Sequence, residues 1–108
     1  MNRNYSYKEL QNITKYVTEH YKLCVRRMKS LEFQGAQNKC TKEYIDAANY
    51  VHEVDLILKD CSKTTQTFIR EEFICSDGDE WRVQNYSNTT FYRLRKKAIE
   101  EFVGCLNR

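Results

Sequence analysis

The sequence contains no proline, and its three glycines stand at 35, 78 and 104. Strand-rich folds need frequent turn residues, so this scarcity argues against sheets and barrels and predicts helices with few breaks. No run of about 18 apolar residues occurs, so neither a membrane-spanning helix nor a membrane partner is expected. The opening MNRNYSYKEL lacks the apolar stretch of a secretory signal, and a cytoplasmic location is the expectation. Five cysteines, at 24, 40, 61, 75 and 105, make an odd number without any Cys-x-x-Cys pair. That pattern argues against a disulfide framework and a local zinc knuckle, and it predicts small, reduced packing residues. Glycine-rich phosphate loops are missing too. His20 and His52 lie beside apolar positions and far from any cysteine, so each reads as a packing or surface histidine. No catalytic arrangement stands out, and neither an enzyme nor a cofactor is expected.

What remains is a chain of 108 residues, 41% hydrophobic and 31% charged, which suits one domain spanning 1–108. Its net charge of +3 is small, but the charge is unevenly distributed. Between 70 and 80 one arginine faces Glu71, Glu72, Asp77, Asp79 and Glu80. These acids match no EF-hand spacing and read as a solvated face, able to screen a basic helix or touch a basic partner such as polymerase. Between 86 and 108, Arg93, Arg95, Lys96, Lys97 and Arg108 outnumber Glu100 and Glu101. Charge of one sign gathered on one element can mark the footprint of an acidic partner.

Ser6 and Glu9 have the spacing of a capping box. Behind them Leu10, Ile13, Val17, Tyr21, Cys24, Met28 and Leu31 recur at steps of three and four, one apolar stripe on a helix of roughly two dozen residues. Gly35 ends it as a C-terminal cap. Thr41 is placed to cap a second helix, whose stripe is Tyr44, Ala47, Val51, Val54, Leu58 and Cys61. Two such stripes joined by a short polar loop predict an antiparallel helical hairpin over 6–61. Packing within the domain is the simpler use of these stripes; their heptad-like spacing also leaves a homodimer open.

A third helix is expected from near Thr64, carrying Phe68, Ile69 and Phe73 inward. Asp77-Gly78 is a turn signal, and a short helix around 79–85 follows, with Trp81 and Val83 placed to lock it onto Phe73 and Phe91. Ser87 then caps a last helix whose buried side is Phe91, Leu94, Ala98, Phe102 and Cys105 or Leu106. Helix, glycine-containing turn, short helix, tight turn and basic helix is the order of a helix-turn-helix, expected over 62–108. The predicted fold is all-α, the hairpin packed against that module.

The last helix carries the chemistry. Asn88, Thr89 and Thr90 give it a short polar first turn, which lets a helix end approach a groove of double-stranded DNA closely. Arg93, Arg95, Lys96 and Lys97 follow at once, with Glu100 and Glu101 behind them. A helix macrodipole favours cations at the C-terminal end, so this order runs against the dipole and points to an external anion. Asn88, Thr89, Tyr92 and Arg93 are placed to read bases or position the helix. Thr90, Arg95, Lys96 and Lys97 are placed to hold phosphates, aided by the free amides of the helix start.

The stretch YSNTTFYRLRKKAIEEF resembles the C-terminal recognition helix of phage-type late transcription regulators of the ArpU/RinA group. Ser87, Thr90, Phe91, Tyr92, Arg93, Leu94, Lys96, Lys97 and Ala98 carry the likeness, with Trp81 shortly before them. It covers about 25 to 40 C-terminal residues. The resemblance implies a sigma region-4-like helix-turn-helix, DNA binding in transcription regulation, and RNA polymerase as a further partner. The N-terminal helices match no motif of that kind. A helical protein-interaction module without enzymatic activity is the alternative expectation.

Overall fold

The structure, a computed structural model, describes residues 5–75, Trp81 and 86–108. All regular structure among the described residues is helical. The turn expected at Asp77-Gly78, the Val83 contact and all but Trp81 of the short helix expected at 79–85 lie outside the described residues.

Helix α1 runs from Tyr7 to Gln34. The capping box forms: the Glu9 amide donates to the Ser6 hydroxyl at 3.2 Å, and the Ser6 amide donates to the Glu9 carboxylate at 2.8 Å. Two orphan amides of the helix start are thereby satisfied. The buried line differs from the apolar stripe. Thr14 and Thr18 are fully buried, while Ile13, Val17, Met28 and Leu31 stand half-buried at its shoulders. Each threonine hydroxyl donates to the carbonyl one turn back, at 2.9 Å to Leu10 and 2.8 Å to Thr14. With the hydroxyl satisfied inside its own helix, the methyl group is free to pack. Polarity alone therefore hides these two core positions.

Gly35 ends α1, and the short 3₁₀ turn Ala36–Cys40 leads to Thr41. The Thr41 hydroxyl accepts from the Tyr44 amide and caps α2, Lys42–Lys59. Tyr44 donates to Glu32, Tyr50 to the Val17 carbonyl, and Tyr21 to Asp55. Tyr44, early in α2, meets the end of α1, whereas Tyr50 and Asp55 further along meet its middle, so the two helices lie antiparallel. Asp55 also stands 3.9 Å from Arg70, which ties this pair to the next element.

Ser62 caps α3, Lys63–Ile69, by accepting from the Thr65 amide. The helix continues without a break into a π-helical segment, Arg70–Cys75. Such wide turns insert one extra residue per turn, which steps of three and four do not foresee. Helix α4 spans Asn88–Leu106, and Ser87 caps it by accepting from the Thr90 amide at 3.3 Å.

Two clusters hold these helices. The larger joins Leu10, Tyr21, Val54, Leu58, Cys61, Ile69, Phe73, Ile99, Phe102 and Val103. The smaller joins Phe68, Phe91 and Ala98, with Trp81, Tyr86 and Leu94 packed against them. Ile99 and Val103, absent from the expected buried side of the last helix, are buried at its centre, and Leu94 is only half-buried. Trp81 meets Phe91 at 5.9 Å as expected, but its other main partner is Phe68 at 5.2 Å rather than Phe73. Cys24 and Cys61 are buried and Cys105 half-buried, whereas Cys40 and Cys75 are exposed. Only the first three therefore serve as packing residues.

Candidate nucleic-acid interface

The position of α4 is set from its inner side. Phe91, fully buried, packs at 5.4 Å against Phe68 with the two rings tilted by 35°, and the Trp81 and Tyr86 rings pack against this cluster. Further along, Glu101 accepts from the Ser62 amide, the Ser62 hydroxyl and the Thr65 hydroxyl. These bonds hold its carboxyl below the usual glutamate range, the Thr65 hydroxyl contributing most. At the far end the Cys61 and Cys105 sulfurs approach to 3.7 Å, and burial pushes the Cys61 thiol up to about 12.

Arg95 belongs to this inner side. Its Nε lies 3.1 Å from the Glu72 carboxylate and its Nη1 donates to the Tyr7 hydroxyl at 2.9 Å. The guanidinium carbon stands 5.1 Å from the centre of the Phe73 ring, and only 14% of the side chain is exposed. From the sequence Arg95 is expected to hold phosphate; in the fold it ties α4 to α1 and to the π segment. A signal existed. Arg95 is four residues after Phe91 and seven before Phe102, which is the buried line of the helix.

The other expected contact residues lie elsewhere on α4. Asn88 and Thr89 are exposed in the first turn, and Thr90 is half-buried behind the Ser87 cap. The amides of Asn88 and Thr89 fall where no preceding helical carbonyl is in reach. Tyr92 is 56% exposed, its ring edge-on to Phe91 at 5.2 Å. Arg93, Lys96 and Lys97 are exposed. At 100° per residue, Thr89, Arg93 and Lys97 form one line opposite Phe91, Arg95 and Phe102, with Tyr92 and Lys96 on its flank. The Lys96 ammonium sits 5.9 Å over the Tyr7 ring, so the basic surface reaches the start of α1.

The arrangement offers a polar helix tip, an exposed aromatic ring and three outward cations on a rigid support. It suits an extended anion approached end-on by a helix. Besides a concavity of about 360 Å³ lined by Tyr21, His52, Asp55, Leu56, Lys59 and Arg70, a groove of about 230 Å³ lies between α1 and α2, lined by His20, Leu23, Cys24, Arg27, Glu43, Asp46 and Ala47. Arg27 and Glu43 stand 4.0 Å apart there, and His20 packs edge-on to Tyr50 at 4.4 Å. Among the described residues, no three His, Cys, Asp or Glu side chains are grouped to hold a metal ion. No helix among them is long and apolar enough to cross a membrane. No family model, curated protein or solved structure matches the chain.

Proposed function

We propose that the protein is a DNA-binding transcriptional regulator in which α3 and α4 belong to a sigma-like helix-turn-helix and α4 enters the major groove of double-stranded DNA. The observation that carries this reading is the two-sidedness of α4. Its aromatic side is anchored on Phe68, while Arg93, Lys96 and Lys97 stand outward beyond a short polar first turn. In the groove, Asn88, Thr89, Tyr92 and Arg93 face base edges or position the helix, and Lys96 and Lys97 flank the phosphates. Thr90 has room for a phosphate only at its exposed edge, and Arg95 acts from behind by fixing the helix. The resemblance of residues 86–102 to ArpU/RinA-type recognition helices supports the same reading.

The test is a fluorescence-anisotropy titration of random and genomic duplexes at two salt concentrations. The Arg93→Ala/Lys96→Ala/Lys97→Ala variant, with unchanged helicity, is expected to lose about two to three units of salt slope and most of its affinity. A folded triple variant that binds duplex as well as the original chain refutes the proposal.

A second reading, a non-enzymatic protein-interaction module, draws on the far end of the α1–α2 pair. Phe33 is 93% exposed there, and Leu23 and Ile45 are about half exposed. These apolar side chains suit a homodimer partner or RNA polymerase. Capture of a protein partner from lysate that persists after nuclease treatment, together with no duplex affinity, favours this second reading.

A further inference from the structure

Helix α1 carries Lys8, Lys15, Lys22 and Lys29, four lysines at successive seven-residue steps. A straight α-helix drifts only ~20° per seven residues, so these side chains form one shallowly winding line. Arg26 joins the same face. Lys8, Lys15, Arg26 and Lys29 are exposed and Lys22 is half-buried. None of the five has an ion-pair partner among the described residues.

An ordinary solvated helix face balances its lysines with acids three or four residues away. Here the face holds a single acid, Glu19, four residues after Lys15 and three before Lys22, against five cations. The other acids of α1 are engaged elsewhere: Glu9 closes the capping box and Glu32 accepts from Tyr44. Lys22, Arg26 and Lys29 instead repeat like charge at steps of four and three, which costs about 0.2–0.5 kcal/mol per pair in an isolated helix. The macrodipole offers no compensation, because Lys8 and Lys15 sit in the N-terminal half and the last turn holds no base. A polyanion laid along the face relieves the repulsion.

We propose that this lysine line is a second, sequence-independent phosphate contact for a DNA duplex, continuous with the basic side of α4. At ~1.5 Å rise per residue the line measures about 31 Å, close to the ~34 Å of one duplex turn. It begins at Lys8, next in sequence to Tyr7, whose ring lies under the Lys96 ammonium, so the line starts at the turn of α1 that α4 contacts. An anionic membrane fits less well. Interfacial helices insert a broad apolar face into lipid, and the apolar side of α1 is spent on the core through Leu10, Tyr21 and Cys24. The inference rests on the DNA reading of α4 for its partner, but on separate residues.

The test uses the full chain carrying Lys15→Gln, Lys22→Gln and Lys29→Gln, substitutions that keep helix propensity, with circular dichroism to confirm the fold. Binding is measured by anisotropy on a short duplex of about 10 base pairs and a long one of about 24, each as a function of salt. On the long duplex the variant is expected to lose about two to three units of salt slope and at least tenfold in affinity at low salt. On the short duplex, which reaches α4 alone, it matches the original chain. Unchanged long-duplex binding, with binding still lost in the α4 triple variant, overturns this inference and leaves the α4 reading intact. The reverse pattern overturns the α4 reading and keeps the lysine line. Absence of duplex binding by the original chain overturns both, as does co-sedimentation with anionic phospholipid vesicles in place of DNA.

Discussion

Arg95 and Glu72 meet at 3.1 Å with both side chains more than four-fifths shielded from solvent. The same guanidinium reaches the Tyr7 hydroxyl and covers the Phe73 ring. One side chain of the basic helix therefore binds the first helix and the π segment at once. Its charge is used internally, which separates it from Arg93, Lys96 and Lys97 on the outer side.

Removing this clamp takes a cation from a shielded carboxylate, an N–H donor from the Tyr7 hydroxyl and the cover from the Phe73 ring. Arg95→Ala is expected to destabilise the chain by about 2–4 kcal/mol, more than any single outer cation replaced by alanine, each of which should fall within ~0.5 kcal/mol. Urea unfolding of the four single variants checks the ranking. Equal, small effects at all four positions contradict the clamp.

The aromatic cluster makes a second prediction. Trp81 is the one tryptophan in the chain and packs on Phe68 and Phe91. Phe91→Ala should cost about 3–5 kcal/mol and shift tryptophan emission to the red in the folded state, because the ring loses its cover. Emission unchanged from the original chain contradicts the packing.

How far the sequence foretold these features follows from the physics of each element. Missing proline and scarce glycine announced an all-helical chain, and Ser6, Thr41 and Ser87 marked helix starts because caps are local chemistry. Thr14 and Thr18 escaped because a hydroxyl bonded to its own backbone packs like an apolar group, which polarity scales do not register. Arg95 escaped for a similar reason: its partners Glu72 and Tyr7 lie 23 and 88 residues away. The π segment had no signature in the spacing. The outward set Thr89, Tyr92, Arg93, Lys96 and Lys97 was legible, because once Phe91 and Phe102 face inward the helical period dictates the rest.

Glu101 gives a pH prediction. Its carboxyl is held below the ordinary value of 4.5 by Thr65 and Ser62, with Arg108 assisting. A depressed acid stabilises the fold above its unfolded value, and the contribution disappears as pH falls through the folded value. Stability should therefore decline below about pH 4.5, and Glu101→Gln should flatten that decline. Thermal unfolding from pH 3 to 7 checks it; an equally steep decline in the variant contradicts the assignment.

Thiol chemistry tests the joint between α2 and α4. Burial and the Cys105 contact push the Cys61 thiol up to about 12. Alkylation of the folded chain at pH 8 should label exposed Cys40 and Cys75 first and Cys61 last. Because the raised thiol stabilises the fold below the ordinary value of 9.0, that contribution should be lost as pH rises from there toward 12. Peptide mass spectrometry reads the labelling order; Cys61 reacting as fast as Cys75 contradicts it.

The central claim, that the leading end and outer face of α4 meet DNA, is tested most directly by amide chemical-shift mapping of the labelled chain against a duplex. The account predicts that resonances of residues 88–97, led by Thr89, Tyr92 and Arg93, move in a saturable and salt-sensitive manner. Shifts confined to the α1–α2 groove around His20 and Ala47, with residues 88–97 unmoved at saturating duplex, would contradict it.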